Sequence, residues 1–215
     1  MIHVTTWAVI PVKRLNEAKS SLSSALTPEQ RQWLMLSMLE DVLNAVHQAP
    51  SISGAIVVSP DEKVLSFASL HGAEGVAEPG LGLNEALKIA IRHSISKGAD
   101  SVLIVPADLP LLKSADVENI IAMASAPKDV GIAPSKAKGT NALFLRPPDL
   151  INLRFGGESF PLHLKEASQA GVKSRIYRSP TTATDIDEVA DLLSIETLGH
   201  GTRTHEFLRS LESRS

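Results

Sequence analysis

Short, almost continuous runs of apolar residues alternate along this chain with longer segments in which apolar residues recur at helical spacing. The strand-like runs cover residues 7–12, 55–59, 102–107, 130–134 and 141–146, with a further candidate at 172–178. The early runs are apolar at nearly every position, as expected for strands covered by helices on both faces. The pattern predicts a single α/β domain over residues 1–215, with a mostly parallel, mixed sheet flanked by helices.

Capping residues indicate where several helices begin. Residues 27–30, Thr-Pro-Glu-Gln, form a capping box with proline at the first helical position, ahead of apolar residues at helical spacing from Trp33 to Val46. Asn84 is predicted to open a second helix and Ser114 to cap a third. A helical tail is predicted for residues 199–215.

Composition narrows the classes of partner. The 215 residues include no cysteine and carry a formal net charge of -3. Disulfides, thiolate metal sites and cysteine nucleophiles are therefore excluded, and no basic excess indicates nucleic acid or an anionic membrane. The apolar run at residues 7–12 is too short for a signal peptide or a membrane span. We expect a cytoplasmic protein with no nucleic-acid or membrane partner.

Three aspartates are the first candidates for chemistry. Asp108 follows the run LIVPA, where a parallel sheet binds ligands beyond the carboxyl ends of its strands. Asp185 and Asp187 are two residues apart, so in an extended segment they project to the same side. Close carboxylates repel unless a cation lies between them, and such oxygen ligands suit Mg²⁺. Capping of a helix near Glu188 explains one of this pair equally well.

The segment from Asp185, D-I-D-E-V, also fits the D-x-D-x-[TV] pattern of haloacid-dehalogenase-type phosphatases, whose first aspartate is a nucleophile. That motif should follow an apolar strand, usually early in the chain. Here it follows the polar stretch TTAT near the C-terminus. The phosphatase interpretation is therefore the weaker one.

Loops after the first strand and before the second helix offer contacts for an anionic ligand. Lys13, Arg14 and Lys19 follow the first strand, where cations can face a triphosphate. An ordinary solvated loop is the alternative and is favoured for Arg14. Residues 80–87, GLGLNEAL, lack the last glycine of a dinucleotide fingerprint. They place Asn84 at the mouth of a helix, which suits a nucleotide or, equally, a plain turn.

Two later loops combine glycine with hydroxyl groups. Gly156-Gly157 precedes Ser159, which resembles an anion cradle at the start of a helix. His163 lies four residues further on and would share that helix face. Taken alone, it is better explained as a histidine satisfied by a backbone carbonyl. In the other loop, which begins at residue 138, Thr140 follows Gly139.

In this order, the motifs resemble the 2-phospho-L-lactate guanylyltransferase family of deazaflavin coenzyme biosynthesis. The matching pieces lie within about residues 8–193: IPVK with AKS, GLN before a helix, ADLPLL, APS with GTNAL, FGGESFPLH and DIDEVADL. The resemblance implies a nucleotide-diphospho-sugar transferase fold of the glycosyltransferase-A-like type. It also implies that GTP and a small phosphorylated acid react to give a guanosine-diphosphate-linked acid and pyrophosphate. A homodimer is a further family-level expectation.

The resemblance also implies roles for individual residues. Those implied to act on the nucleotide or in catalysis are Lys13, Lys19, Asn84 and Asp108. Those implied to hold Mg²⁺ are Asp108, Asp185 and Asp187, and those implied to bind the acceptor are Thr140, Gly156, Ser159 and His163. Two positions depart from the family pattern: Ser21 replaces a basic residue that often follows AKS, and Lys138 replaces a glycine.

Several alternatives stay open at this point. The residues do not separate 2-phospho-L-lactate from phosphoenolpyruvate or 3-phosphoglycerate as the acceptor, nor GTP from another nucleoside triphosphate. A non-catalytic nucleotide-binding protein is the remaining alternative, although it would not need three metal-binding carboxylates.

Overall fold

Seven strands form one mixed sheet in the computed structural model, which describes residues 4–213. Their order across the sheet is β3-β2-β1-β4-β6-β5-β7, and only β6 runs antiparallel to its neighbours. The strands are β1 (Thr6–Pro11), β2 (Ile52–Ser59), β3 (Glu74–Ala77), β4 (Ser101–Ile104), β5 (Asp129–Pro134), β6 (Thr140–Arg146) and β7 (Ser174–Ile176). The predicted α/β fold with a mixed sheet is confirmed.

Helices cover both faces of this sheet, which explains the almost continuous apolar runs. Ala8 and Ile10 of β1 pack into one cluster with α1, α2 and α4, whereas Val9 between them packs into a second cluster with α3. The helices among residues 4–213 are α1 (Pro28–His47), α2 (Glu62–Leu70), α3 (Leu83–Ser96), α4 (Ser114–Ala122), α5 (Ser159–Gln169), α6 (Pro180–Ala183), α7 (Leu192–Leu198) and α8 (Arg203–Glu212). No helix in this part of the chain is long and apolar enough to cross a membrane.

The six predicted strands are present, but some boundaries differ. The strand predicted for residues 102–107 ends at Ile104, ahead of Pro106, which has no N–H to donate to a neighbouring strand. The edge strand β3 was missed because its four residues, Glu-Gly-Val-Ala, alternate between half-buried and exposed positions and form no apolar run.

The local sequence predicted one helix start accurately and two only approximately. Thr27 and Gln30 form the predicted capping box, with N–H to side-chain oxygen distances of 2.8 and 3.2 Å. The helix predicted to open at Asn84 is α3. It begins at Leu83, with Gly82 as its N-cap, so Asn84 lies inside the first turn. Ser114 is the first residue of α4 and Lys113 is its N-cap, which corrects the predicted capping role of Ser114.

The C-terminal segment packs back on α1 through one buried carboxylate. Asp41 accepts hydrogen bonds from the backbone N–H groups of Arg203 and Thr204 at 2.7 and 2.9 Å, and from the Thr204 hydroxyl at 2.6 Å. It thereby satisfies donors at the start of α8 that have no partner within the helix. Residues 199–213 of the predicted helical tail contain α8, and residues 214 and 215 lie outside the described residues.

Candidate active site

A cavity of about 540 Å³ opens at the carboxyl ends of β1, β2, β3 and β4. This is where ligands bind in open α/β sheets, and the volume lies in the usual range for small-molecule sites. Its charged lining residues are Lys13, Arg14, Glu17, Lys19, Glu78, Asp108 and Asp187. The cavity therefore has both the position and the mixed charge expected for a nucleotide with its counter-ions.

Lys19 lies between two of the three predicted metal-binding aspartates. Its Nζ is 2.7 Å from Asp108 Oδ2 and 3.0 Å from Asp187 Oδ1, and its side chain is only 7% exposed. Burial opposes the charged ammonium, but the carboxylates of Asp108 and Asp187 outweigh this effect and raise the pKa of Lys19 above its ordinary value. Asp108 and Asp187 therefore share one cation in this structure.

The backbone at Lys19 is held in an unusual conformation. Its φ of 49° and ψ of 43° lie in the left-handed region, which costs a residue with a β-carbon on the order of 1–2 kcal/mol. The surrounding loop is fixed by Asp61, whose Oδ2 accepts from the Leu15 N–H at 2.9 Å. Such strain persists only where neighbouring contacts hold it, and it is common at ligand sites.

Two further contacts bring the D-I-D segment to the cavity. The Ile186 N–H donates to the carbonyl of Asp108 at 3.1 Å. The hydroxyl of Ser21 donates to the carbonyl of Asp187. Ser21 therefore positions the D-I-D segment through a neutral hydrogen bond.

Asp185 is held differently from Asp187. Its Oδ1 accepts from the side-chain amide of Asn141 at 3.3 Å, and that amide also donates to the Thr182 carbonyl at 2.9 Å. Burial raises the pKa of Asp185, with Asp108 and Asp187 adding to the effect, while hydrogen bonds to Asn141 and to its own backbone oppose it. Neither Asp185 nor Asp187 caps a helix: Asp191 accepts the N–H groups of Asp187 and Glu188 instead.

The donor chemistry of the three aspartates fits Mg²⁺, although their side chains do not form a finished cage. No group of three or more His, Cys, Asp or Glu side chains within residues 4–213 is arranged to hold a metal ion. The ammonium of Lys19 occupies the position between Asp108 and Asp187. Because Asp108 and Asp187 are already arranged around a positive charge, their carboxylates would also suit a divalent ion in the place of the ammonium.

The other predicted nucleotide contacts are only partly brought to the cavity. Lys13 is exposed and lines it. Asn84 instead binds the backbone of Phe155, in a loop distant in sequence. Its amide nitrogen donates to the Phe155 carbonyl at 2.9 Å, and its oxygen accepts the Phe155 N–H at 3.0 Å. Phe155 lines the cavity, so Asn84 fixes the cavity wall, and its direct contact with the nucleotide stays a prediction.

Thr140 and His163 are joined to each other inside the protein. His163 is fully buried, with Nδ1 2.9 Å from the Thr140 hydroxyl and Nε2 accepting the Arg154 N–H at 3.0 Å. Burial lowers the pKa of His163 to about 4, so the ring is neutral near pH 7. Because both ring nitrogens are occupied, His163 positions the loop at Arg154, and direct contact with the acceptor has no support for this residue.

The loop after Arg154 contains two glycines with positive φ angles. Gly156 and Gly157 have φ values of 118° and 47°, and a β-carbon at either would meet open space. Their conformation favours glycine, and Ser159 follows as the first residue of α5. Lys138, which departs from the family pattern, pairs on the surface with Glu158 at 3.1 Å. Acceptor binding by Thr140, Gly156 and Ser159 stays a prediction.

Sequence reasoning missed two buried polar residues at this site. Asn141 positions Asp185, and its place in the GTN motif beside Thr140 was the available indication. Glu78 lines the cavity, and its only indication was a carboxylate before the glycine loop GLGLN.

Comparison with solved structures identifies the fold. A structure from Desulfovibrio desulfuricans G20, provisionally assigned as a nucleotide-diphospho-sugar transferase, matches with a TM-score of 0.81 at 19% identity, over 98% of this chain and 96% of that one. CMP:2-keto-3-deoxy-manno-octonic acid synthetase, solved with CTP, matches with a TM-score of 0.60 at 14% identity, over 91% of this chain and 98% of that one. The fold is that of the nucleotide-diphospho-sugar transferases.

Sequence relatives identify the family. The phosphoenolpyruvate guanylyltransferase of Sphaerobacter thermophilus is 42% identical over 190 residues, which cover 88% of this chain and 91% of the relative. The 2-phospho-L-lactate guanylyltransferase of Methanocaldococcus vulcanius is 39% identical over 204 residues, covering 94% and 90%. The family described as "Guanylyl transferase CofC like" matches residues 6–214. The chain belongs to this guanylyltransferase family, which confirms the resemblance.

Proposed function

We propose that this protein transfers the guanylyl group of GTP to the phosphate of 2-phospho-L-lactate. The products are lactyl-2-diphospho-5'-guanosine and pyrophosphate, in the biosynthesis of a deazaflavin coenzyme. The observation that carries the proposal is the cavity at the strand ends, where Lys13 and Lys19 adjoin Asp108 and Asp187. Membership of the guanylyltransferase family supports it.

The reaction needs alignment and charge neutralisation more than acid–base groups. An oxygen of the acceptor phosphate attacks the α-phosphorus of GTP, a new P–O bond forms, and the bond from the α-phosphorus to the bridging oxygen of pyrophosphate breaks. The attacking phosphate is already ionised near neutral pH, so no general base is required. Lys13 and Lys19 offset the negative charge of the triphosphate and of the leaving pyrophosphate.

Asp108, Asp185 and Asp187 would hold Mg²⁺. When bound, this ion would neutralise phosphate oxygens and orient the triphosphate. Lys19 would contact the phosphates from its position beside Asp108 and Asp187. Asn141 keeps Asp185 in place throughout by its hydrogen bond of 3.3 Å.

Phosphoenolpyruvate is the second candidate acceptor, and one observation favours it. Two phosphoenolpyruvate guanylyltransferases, from Sphaerobacter thermophilus and Rubrobacter xylanophilus, are each 42% identical to this chain. Both acids carry a carboxylate and a phosphate on the same carbon, and they differ in whether the bond from that carbon to the third carbon is single or double. The glycine cradle at residues 156–157 would bind the groups that they share.

The test is pyrophosphate release from GTP, ATP and CTP, each paired with 2-phospho-L-lactate, phosphoenolpyruvate and 3-phosphoglycerate. We expect release with GTP and one of the first two acids. The same assay in a MgCl₂ series tests the metal assignment, and size-exclusion chromatography tests the expected homodimer. GTP binding without release from any pair would favour a non-catalytic nucleotide-binding protein.

A charge-removing substitution checks the site itself. Asp108→Asn should abolish turnover, because it removes a carboxylate from the Lys19 ion pair and from the metal site. Asp149→Asn is the matched control. Asp149 is exposed and follows β6, which runs antiparallel to β4, so it lies at the end of the strands away from the cavity. Near-normal turnover in Asp108→Asn would refute the assignment of Asp108.

A further inference from the structure

Glu78 lies at the end of the cavity away from the phosphate-binding residues. It directly follows β3, whereas Asp108 follows β4. The order β3-β2-β1-β4 separates these strands by three steps, which at about 4.8 Å per step amounts to roughly 14 Å. If the triphosphate lies at Lys19 and Asp108, as the proposed function requires, an extended nucleotide directs its base toward Glu78.

The carboxylate of Glu78 is held rigidly and is left with a free acceptor. Its Oε2 accepts the N–H groups of Gly80 and Leu81 at 2.6 and 3.1 Å. Its Oε1 receives no hydrogen bond from any residue between 4 and 213, although the residue is only 9% exposed. Because Glu78 lines the cavity, this oxygen can accept a hydrogen bond from a donor on a bound ligand.

The neighbouring wall of the cavity is apolar. Leu83 and Ala86 of α3 and Val58 of β2, the strand next to β3, line it together with Glu78. A flat base between apolar side chains, with its polar edge toward one oriented carboxylate, matches how ligand pockets combine apolar walls with a few polar groups.

We propose that Glu78 selects guanine by accepting hydrogen bonds from its N1–H and 2-amino groups. An ionised carboxylate only accepts hydrogen bonds, and guanine presents these two donors side by side. Adenine and cytosine present an unprotonated ring nitrogen at the corresponding position, which repels a carboxylate. Glu78 is thus the specificity-determining residue for the nucleotide.

Glu78→Gln tests this role while keeping the loop contacts. The amide oxygen can still accept from Gly80 and Leu81, but an amino group now faces the base. We expect the ratio of kcat/KM for GTP to that for ATP to fall roughly 10- to 100-fold, as for the loss of a hydrogen bond to a charged group. The preference for GTP over ITP, which lacks the 2-amino group, should fall as well. Glu85→Gln is the control, because Glu85 pairs with Lys88 on the exposed side of α3 and should keep both ratios.

Calorimetric binding of GTP, ITP and ATP to the same proteins gives a readout that needs no turnover. Equal losses for all three nucleotides, or unchanged ratios in Glu78→Gln, would overturn the inference, since Glu78 would then only shape the loop. If the wild type releases pyrophosphate equally from GTP and ATP, guanine selection fails while the transfer chemistry stands. If it releases none but binds GTP over ATP through Glu78, the proposed function fails and the inference stands.

Discussion

Acidification should destabilise this protein through His163, by an amount that follows from the surroundings of the ring. The ring is fully buried and accepts the Arg154 N–H through Nε2, so protonation would turn an acceptor into a donor facing another donor. Burial lowers the pKa of His163 to about 4, from 6.5 in an exposed histidine. The neighbouring Glu166 opposes this shift and Arg154 adds to it, and both are smaller effects than burial.

The sign of the effect follows from which state binds the proton first. Between pH 6.5 and 4 the unfolded chain is protonated at His163 and the folded chain is not, so the free energy of unfolding falls as the pH falls. The change in the pKa of His163 from 6.5 to about 4 corresponds to about 3 kcal/mol. By the same linkage relation, the free energy of unfolding falls by about 2 kcal/mol between pH 7 and pH 5.

Urea unfolding of the wild type and of His163→Gln at pH 7, 6 and 5 measures the effect. Glutamine has an acceptor for the Arg154 N–H and a donor for Thr140, but it does not titrate. All other ionisable groups are common to both proteins, so the difference between their unfolding free energies isolates His163. We expect this difference to change by about 2 kcal/mol from pH 7 to pH 5. A constant difference, or an imidazole pKa near 6.5 by NMR titration, would refute the reasoning.

Three further substitutions probe the contacts around the site and the C-terminus. Lys19→Met should lower kcat strongly yet tighten Mg²⁺ binding to the free protein, because the ammonium no longer competes for Asp108 and Asp187. A lower Mg²⁺ affinity in a calorimetric titration with MgCl₂ would contradict this. Asn141→Ala should weaken Mg²⁺ binding and shift the acidic limb of kcat to higher pH, because a hydrogen bond that lowers the pKa of Asp185 is lost; an unchanged pH profile would count against the positioning role. Asp41→Ala should lower the free energy of unfolding by about 2–3 kcal/mol, because the start of α8 loses three hydrogen bonds; urea unfolding at pH 7 without a change in stability would contradict the role of Asp41.

The elements that local sequence predicts well are those whose stabilisation is itself local. The capping box at residues 27–30 uses side chains three positions apart, and its geometry forms as predicted. The long apolar runs required burial on both faces, and both faces are covered. The edge strand β3 had no such pattern because a strand of four half-exposed residues depends on its pairing with β2.

The candidate site divides in the same way. Sequence singled out Asp108, Asp185 and Asp187, because aspartates at a strand end and in a D-x-D motif are local features. It also indicated the family, which the comparison confirms. It could not show that Lys19 stands between Asp108 and Asp187, since these residues are 89 and 168 positions away from it.

The sequence by itself determined the α/β fold class, the family and the residue types available for phosphate and metal chemistry. The tertiary structure alone decided how the histidine and glutamate side chains are used. His163 became a buried structural link because Thr140 and the Arg154 backbone occupy both of its ring nitrogens. Glu78 became a candidate for base selection because the strand order sets it opposite the phosphate end of the cavity with one oxygen free. Both outcomes depend on contacts between distant segments, which local spacing does not encode.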